Sequence, residues 1–188
     1  MIELRDLKVR GLAPLTLTVP AGERRVLGVK SPSARERLLD AVAGAGPWLS
    51  GGVRICGVDM AQRPLVARGH LGYCPGRPCL DPAMTVRETL AFWWRAREME
   101  KGLAARMDKV LELCGLTGRK AVRVGRLEAA DQARLCLARA LLHDPEALVM
   151  DGLAPLNGLG GGVLEKINQG RALLIAAADQ GEPVEEEP

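Results

Sequence analysis

The 188-residue chain predicts an α/β domain with a largely parallel central sheet and an antiparallel β-subdomain beside it. Three observations carry this expectation. Residues 2–9 and 15–19 alternate apolar and polar side chains, as half-buried strands do. Beyond Arg25, short apolar runs alternate with helical periodicity, the order that builds βαβ units. The stretch from Arg134 to Asp151 reads as an amphipathic helix, an Asp144-Pro145 stop, and a buried strand ending in a carboxylate.

Taken in order, the two alternating strands are followed by a turn at Pro20-Ala21-Gly22-Glu23 and a short apolar strand over 25–29. The polar loop Lys30-Ser31-Pro32-Ser33 leads into a helix over 34–43, with Leu38, Leu39 and Val42 on one face. Ser50-Gly51-Gly52 turns into a strand over 53–56, and Gly57-Val58-Asp59 turns again. A strand is expected over 71–74. Thr85 with Glu88 three residues on forms a capping box for a helix over 86–99. A second helix over 104–114 ends at Gly115, a third covers 127–142, and strands follow over 147–150 and 171–177.

Composition limits what such a domain does. With 47% hydrophobic but only 3% aromatic residues, the core must be built from Leu, Val, Ala and Met. The net charge of +3 is small and its basic residues are scattered, which argues against a dedicated nucleic-acid binder. Cys56, Cys74, Cys79, Cys114 and Cys136 have irregular spacing and no CxxC pair, so reduced thiols packed as small hydrophobes are expected. Cys74 and Cys79 have no His or Cys pair nearby, and no metal is expected there. No signal peptide is read at Met1, and no apolar run nears the roughly 20 residues of a membrane span. Residues 1–180 read as one domain, with a helical part at about 80–130. Residues 181–188 are acidic and Pro-containing and read as a tail without fixed structure.

A phosphate-binding loop requires glycines that let backbone N–H groups curl around an anion, a Lys, and a Ser or Thr for magnesium. The strand–loop–helix context at residues 26–43 is right for one, but the residues differ. Counted back from Leu38-Leu39, Arg35 holds the Lys position and Glu36 the hydroxyl position, while Val29 and Ala34 replace the two glycines. A carboxylate about 4 Å from a phosphate charge costs about 4 kcal/mol at an effective dielectric near 20. Arg35 is a planar, bulkier cation than Lys. Lys30 is the remaining cation in the loop.

The order of these pieces resembles the ATP-binding subunit of an ABC transporter, most of all in exporters with a separate ABC-2 type permease. The resemblance spans about residues 1–179. Ser50-Gly51-Gly52-Val53-Arg54-Ile55-Cys56-Gly57 is similar to the family's SGxVxxxG segment. Leu71-Gly72-Tyr73-Cys74-Pro75 resembles its GYLPQ segment, and Met84-Thr85-Val86-Arg87-Glu88-Thr89-Leu90 the LTVxExL helix start. Leu137-Ala138-Arg139-Ala140-Leu141 with Asp144-Pro145 resembles LARAL followed by DP. The implied fold is P-loop NTPase-like: a parallel core, an antiparallel β-subdomain and a helical subdomain, without the family's C-terminal helices.

The departures fall on positions to which the resemblance assigns function. Gly76 stands where a glutamine links the metal site to the permease. The signature segment LSGGQ reads Leu127-Glu128-Ala129-Ala130-Asp131, which puts negative charge where a helix N-terminus should face the γ-phosphate. Gly152 holds the place of the catalytic glutamate after the metal-binding Asp151, and Ala178 that of the switch histidine before Asp179. Asn157-Gly158-Leu159-Gly160 retains part of a GLD segment, and Gly11-Leu12 stands where an adenine-stacking aromatic is expected.

The expected function is therefore a catalytically inactive ABC ATPase-like subunit, a scaffold, adaptor or regulatory partner in a membrane-associated transporter-like complex. No cofactor and no catalytic residue are expected. The alternative is an unorthodox ATP- and Mg2+-using subunit built on Lys30, Arg35 and Asp151. A DNA-associated ABC-like protein would need a heptad run or basic face that the chain lacks. The expected partners are a transmembrane permease, a catalytic ABC ATPase, or a second copy in a dimer; nucleic acid and direct membrane insertion are not expected. The expected location is cytoplasmic, peripheral at the inner face of the cell membrane. In the family the region 80–97 receives the permease. Phe92, Trp93 and Trp94 are the candidate interface there, because three consecutive helical positions cannot all face one core.

Overall fold

The computed structural model describes residues 1–178 and 180–186. Two sheets organise it. The first is antiparallel: β1 (Ile2–Lys8) lies between β2 (Leu15–Val19) and β4 (Ser50–Ile55), and β5 (Val58–Asp59) pairs with β4. The second is parallel, in the order β6 (Leu71–Cys74), β7 (Ala147–Asp151), β8 (Ala172–Ala177), β3 (Arg24–Gly28), β9 (Glu182–Pro183). Among the described residues six α-helices join them: α1 (Pro32–Val42), α2 (Pro64–Gly69), α3 (Val86–Ala96), α4 (Leu103–Leu113), α5 (Ala129–Leu141) and α6 (Val163–Asn168).

The central strands β7 and β8 are apolar without interruption because helices or sheet cover both faces. Their side chains still alternate. Ala147, Val149, Ala172, Leu174 and Ala176 enter one core with Leu38, Leu39 and Val42 of α1 and Ile2, Leu4, Val53 and Ile55 of the antiparallel sheet. Leu148, Met150, Leu173 and Ile175 enter a second core with α3, α4 and Leu135, Leu137, Ala138 and Leu141 of α5. The antiparallel sheet thus packs over one face of the parallel sheet and the helical part over the other. The rest of the core is mostly Leu, Val, Ala, Ile and Met, with Trp94 and the thiols of Cys74, Cys114 and Cys136 packed among them.

Local signals fix the helix starts. Ser31 caps α1 by accepting the N–H of Ala34, and Pro32 fits the first helical turn, where its missing N–H costs nothing. Thr85 accepts from the Glu88 N–H, and the Glu88 carboxylate accepts from the Thr85 N–H at 2.8 Å, the reciprocal pair expected from sequence. Helix α3 ends at Ala96, short of the expected residue 99. Glu98 takes a left-handed φ of 56°, and Met99 folds back to donate to the Trp94 carbonyl.

The acidic tail differs from expectation. Over residues 181–186 it has a defined path along the free edge of β3. Leu27 pairs with Glu182 and Gly28 with Pro183, Val184 donates to the Gly28 carbonyl at 3.1 Å, and Ala13 donates to the Glu185 carbonyl at 2.9 Å. Arg25 adds an ion pair with Glu182 at 3.3 Å. Backbone pairing with an edge strand places few demands on side-chain composition, so an acidic segment docks there. Residues 187 and 188 of the expected tail, and Asp179, lie outside the described residues.

Candidate functional site

The loop between β3 and α1, the C-terminal ends of β6 and β7, and the tail converge at the C-terminal edge of the parallel sheet. This is where open α/β sheets place their ligands, because loops diverge there and helix N-termini point inward. Of the residues singled out from sequence, Lys30, Gly76, Asp151 and Gly152 are on these segments, and Arg35 is in the first turn of α1 beside them. Glu128, Ala129 and Ala130 are on another element, the exposed start of α5.

Arg35 and Asp151 are engaged with each other. The Arg35 Nε donates to Asp151 Oδ1 at 2.6 Å, and Arg35 Nη1 donates to the Val29 carbonyl at 3.1 Å. Both side chains are mostly shielded, at 17% and 14% exposure, so the pair is little screened by water. Gly76 is bound to this arrangement sterically: a Cβ on it would stand 2.4 Å from Asp151 Oδ2. Any side chain at residue 76 would therefore have to displace the Asp151 carboxylate.

The loop amides have a partner of their own. Lys30 N–H and Ser31 N–H both donate to Glu186 Oε1, at 2.6 and 3.0 Å. Two consecutive amides converging on one oxygen at a helix start form an anion-binding concavity. Its occupant here is a carboxylate of the chain's own tail. Sequence reading placed Glu186 in a structureless tail, and nothing local signals a contact spanning 156 residues. The Glu36 side chain is exposed at the start of the same helix.

Behind the site, Tyr73 donates its hydroxyl to Asp40 at 2.8 Å. Burial, then the Asp40 bond, pushes that phenol far above its ordinary range, so it stays neutral. Gly152 has a φ of 71° and donates its N–H to the Ala176 carbonyl at 2.7 Å, which ties the end of β7 to β8. Ala178 follows the end of β8 with no polar atom to offer. At the α5 start, Asp131 pairs with Arg134 at 3.0 Å and Arg119 at 3.5 Å, while Arg134 also holds the Asn157 carbonyl. That charge is spent internally.

The aromatic run on α3 divides. Trp94 is buried at 3% and belongs to the second core, so it is not a surface contact residue. Phe92 and Trp93 are exposed, at 46% and 37%, and meet edge to face with ring centroids 5.7 Å apart. The Arg139 guanidinium lies 5.0 Å from the centre of the Trp93 ring, a cation–π distance. Beside them a cavity of about 280 Å3 is lined by Tyr73, Trp93, Trp94, Arg97, Arg139 and His143 among others.

Comparison with known proteins gives this architecture its family. Residues 12–153 match the family model for the ABC transporter. The chain is 34% identical over 137 residues to the Nod factor export ATP-binding protein I of Paraburkholderia xenovorans, covering 72% of this chain and 39% of that protein. It is 31% identical over 150 residues to the sulfate/thiosulfate import ATP-binding protein CysA of Mycobacterium bovis, covering 79% of this chain and 42% of that protein. The chain thus spans less than half the length of either relative. Among solved structures, an ATP-binding subunit of an ABC transporter superposes with a TM-score of 0.81 at 21% identity, over 95% of this chain and 80% of that one. A dimeric bacterial ABC transporter cassette gives 0.78 at 19%, over 95% and 88%. These two likenesses establish the fold. With three quarters of its length inside the family model and a parallel sheet, antiparallel sheet and helical part in the matching arrangement, the chain belongs to the ABC transporter family.

Proposed function

We propose that this chain is a catalytically inactive ABC ATPase-like subunit, serving as scaffold, adaptor or regulatory partner in a membrane-associated transporter complex. The observation that carries this reading is that the chain's own side chains occupy the groups a Mg-nucleotide would use. Asp151, the metal-binding position in the resemblance, is neutralised by Arg35 at 2.6 Å. The loop amides that would receive phosphate oxygens hold Glu186. Glu36 adds a negative charge where a hydroxyl is needed, and Gly152 offers no group to activate water. Mg-ATP does not fit this set of residues.

The surface left for function is the exposed Phe92 and Trp93 on α3, the region to which the resemblance assigns permease contact. Rigid aromatics and an adjacent arginine are the residue types that anchor protein interfaces. Among the described residues no helix is long and apolar enough to cross a membrane, so membrane association in this reading comes through the partner. The relatives named above include both an exporter and an importer component, so this reading is not tied to one direction of transport.

The competing reading, an unorthodox ATP-binding subunit, has one observation in its favour: the Lys30 and Ser31 amides still converge as an anion site requires. Calorimetry with Mg-ATP separates the two. The inactive reading expects no binding in the micromolar range and no phosphate release above background. Micromolar binding of Mg-ATP overturns it.

A further inference from the structure

At the opposite edge of the parallel sheet from Asp151, three side chains from three distant parts of the sequence meet. Cys56 is at the tip of the β4–β5 hairpin, His70 follows α2, and Glu146 immediately precedes β7. One ligand atom from each lies within 4.8 Å of the other two, and His70 Nδ1 is 2.7 Å from Glu146 Oε1. We propose that Cys56, His70 and Glu146 form a binding site for a zinc-class divalent ion that clips the antiparallel sheet to the parallel sheet.

The donor set supports this choice. A thiolate, an imidazole and a carboxylate together suit zinc, whereas calcium and magnesium take oxygen ligands alone. Zinc bonds of about 2.0–2.3 Å in a tetrahedron place donor atoms roughly 3.3–3.8 Å apart. The imidazole and carboxylate must therefore separate by less than about 1 Å, and the thiol must close by no more than about 1 Å. Small side-chain rotations at a partly exposed site supply such shifts. Three protein donors leave a fourth position for water.

The backbone around the donors is fixed before any ion arrives. The N–H groups of Glu146 and Ala147 both donate to the His70 carbonyl, at 3.1 and 3.0 Å, which locks two of the ligands side by side. The Cys56 N–H donates to the Met1 carbonyl at 2.8 Å, and β4 pairs with β5 on either side of the turn. Cys56 and Gly57 have φ values of 50° and 80°. Two positive φ values in a two-residue hairpin loop favour Asn, Asp or Gly at the first position, and other L-residues are strained there. A cysteine is thus held in a conformation that disfavours it, half-exposed, while Cys74, Cys114 and Cys136 are buried in the second core. The Met1 amino group approaches the Cys56 sulfur at 3.6 Å and is the group a metal would displace; the three side chains carry the site without it.

The test uses the untagged, reduced, metal-stripped chain titrated with Zn2+ or Co2+ alone. The expected result is one equivalent of tightly bound Zn2+, a thiolate-to-cobalt charge-transfer band with Co2+, and a higher melting temperature with Zn2+. The decisive variant is Cys56→Asn. Asn suits the left-handed turn, so the fold is retained and the apo protein melts at or above the parent, while the cobalt band and the zinc-induced stabilisation disappear. His70→Ala is expected to weaken Zn2+ binding at least about tenfold, the range that even outer-shell partners of a metal command. Cys79→Ser, at the exposed cysteine elsewhere, is expected to change nothing. The site is overturned if Zn2+ does not saturate at one equivalent, if the cobalt band persists in Cys56→Asn, or if it is lost in Cys79→Ser. In each of those cases the contact between His70 and Glu146 is a hydrogen bond and no more.

Discussion

Gly152 follows the β7 carboxylate with a φ of 71°, a region where an L-residue costs about 1–2 kcal/mol. Around it a Cβ meets nothing within 4 Å, so the obstacle to a side chain there is backbone conformation alone. Replacing Gly152 by Glu supplies an acid at the position the family uses to activate water, yet it leaves Asp151 paired with Arg35 and the loop amides on Glu186. Gly152→Glu is therefore expected to fold, to lose about 1–2 kcal/mol of stability in denaturant titration, and to show no ATP turnover in a phosphate-release assay. Turnover from this single change would mean that the site is open. The sequence identified Arg35 and Gly76 each as a departure from a pattern, and Asp151 as the metal-binding position that is kept. It did not reveal that they form one unit, because a pairing 116 residues apart and a Cβ clash across strands exist only in three dimensions.

Elements with a full period were legible. Helix α3 carries a capping box and an apolar stripe of Val86, Leu90 and Trp94 at four-residue spacing, and these, with Thr89 beside them, are the positions it buries. Helices α2 and α6, six residues each, are too short to show a helical period, so periodicity alone does not place them. Strand β9 was hidden by its acidic composition, because pairing to an edge needs backbone groups that composition does not report. Within α3 the same stripe sorts the aromatic run. Trp94→Ala removes a buried indole and is expected to cost about 3–5 kcal/mol of stability. Phe92→Ala and Trp93→Ala remove half-exposed rings; each is expected to change stability by less than about 1 kcal/mol and to weaken capture of the permease proposed above as the partner. Thermal melts of the three variants beside a pull-down from membranes read both effects. If Trp93→Ala unfolds the protein, or if both exposed variants bind partner as well as the parent, α3 is a packing element and not an interface.

At the scale of the whole molecule, the site is closed by contacts between segments that are far apart in the chain, and these contacts differ in how easily they open. The Arg35–Asp151 pair is shielded and backed by the Val29 carbonyl and the close approach of Gly76. The Glu186 contact is exposed and depends on one carboxylate at the end of a short edge strand. A competing anion should therefore enter at the loop amides before anything reaches Asp151. In Glu186→Ala, the Lys30 and Ser31 amides lose their acceptor while β9 keeps its pairing to β3. Added inorganic phosphate is then expected to shift the Lys30 and Ser31 amide signals in a 1H–15N spectrum saturably in the variant and far less in the parent, with ATP turnover at background in both. The sign follows from charge: removing a carboxylate from an anion-binding concavity raises its affinity for the next anion, and Arg35 stays committed to Asp151. Equal phosphate shifts in the variant and the parent would show that the tail does not guard the loop, and turnover in Glu186→Ala would show that the tail alone had held an active site shut.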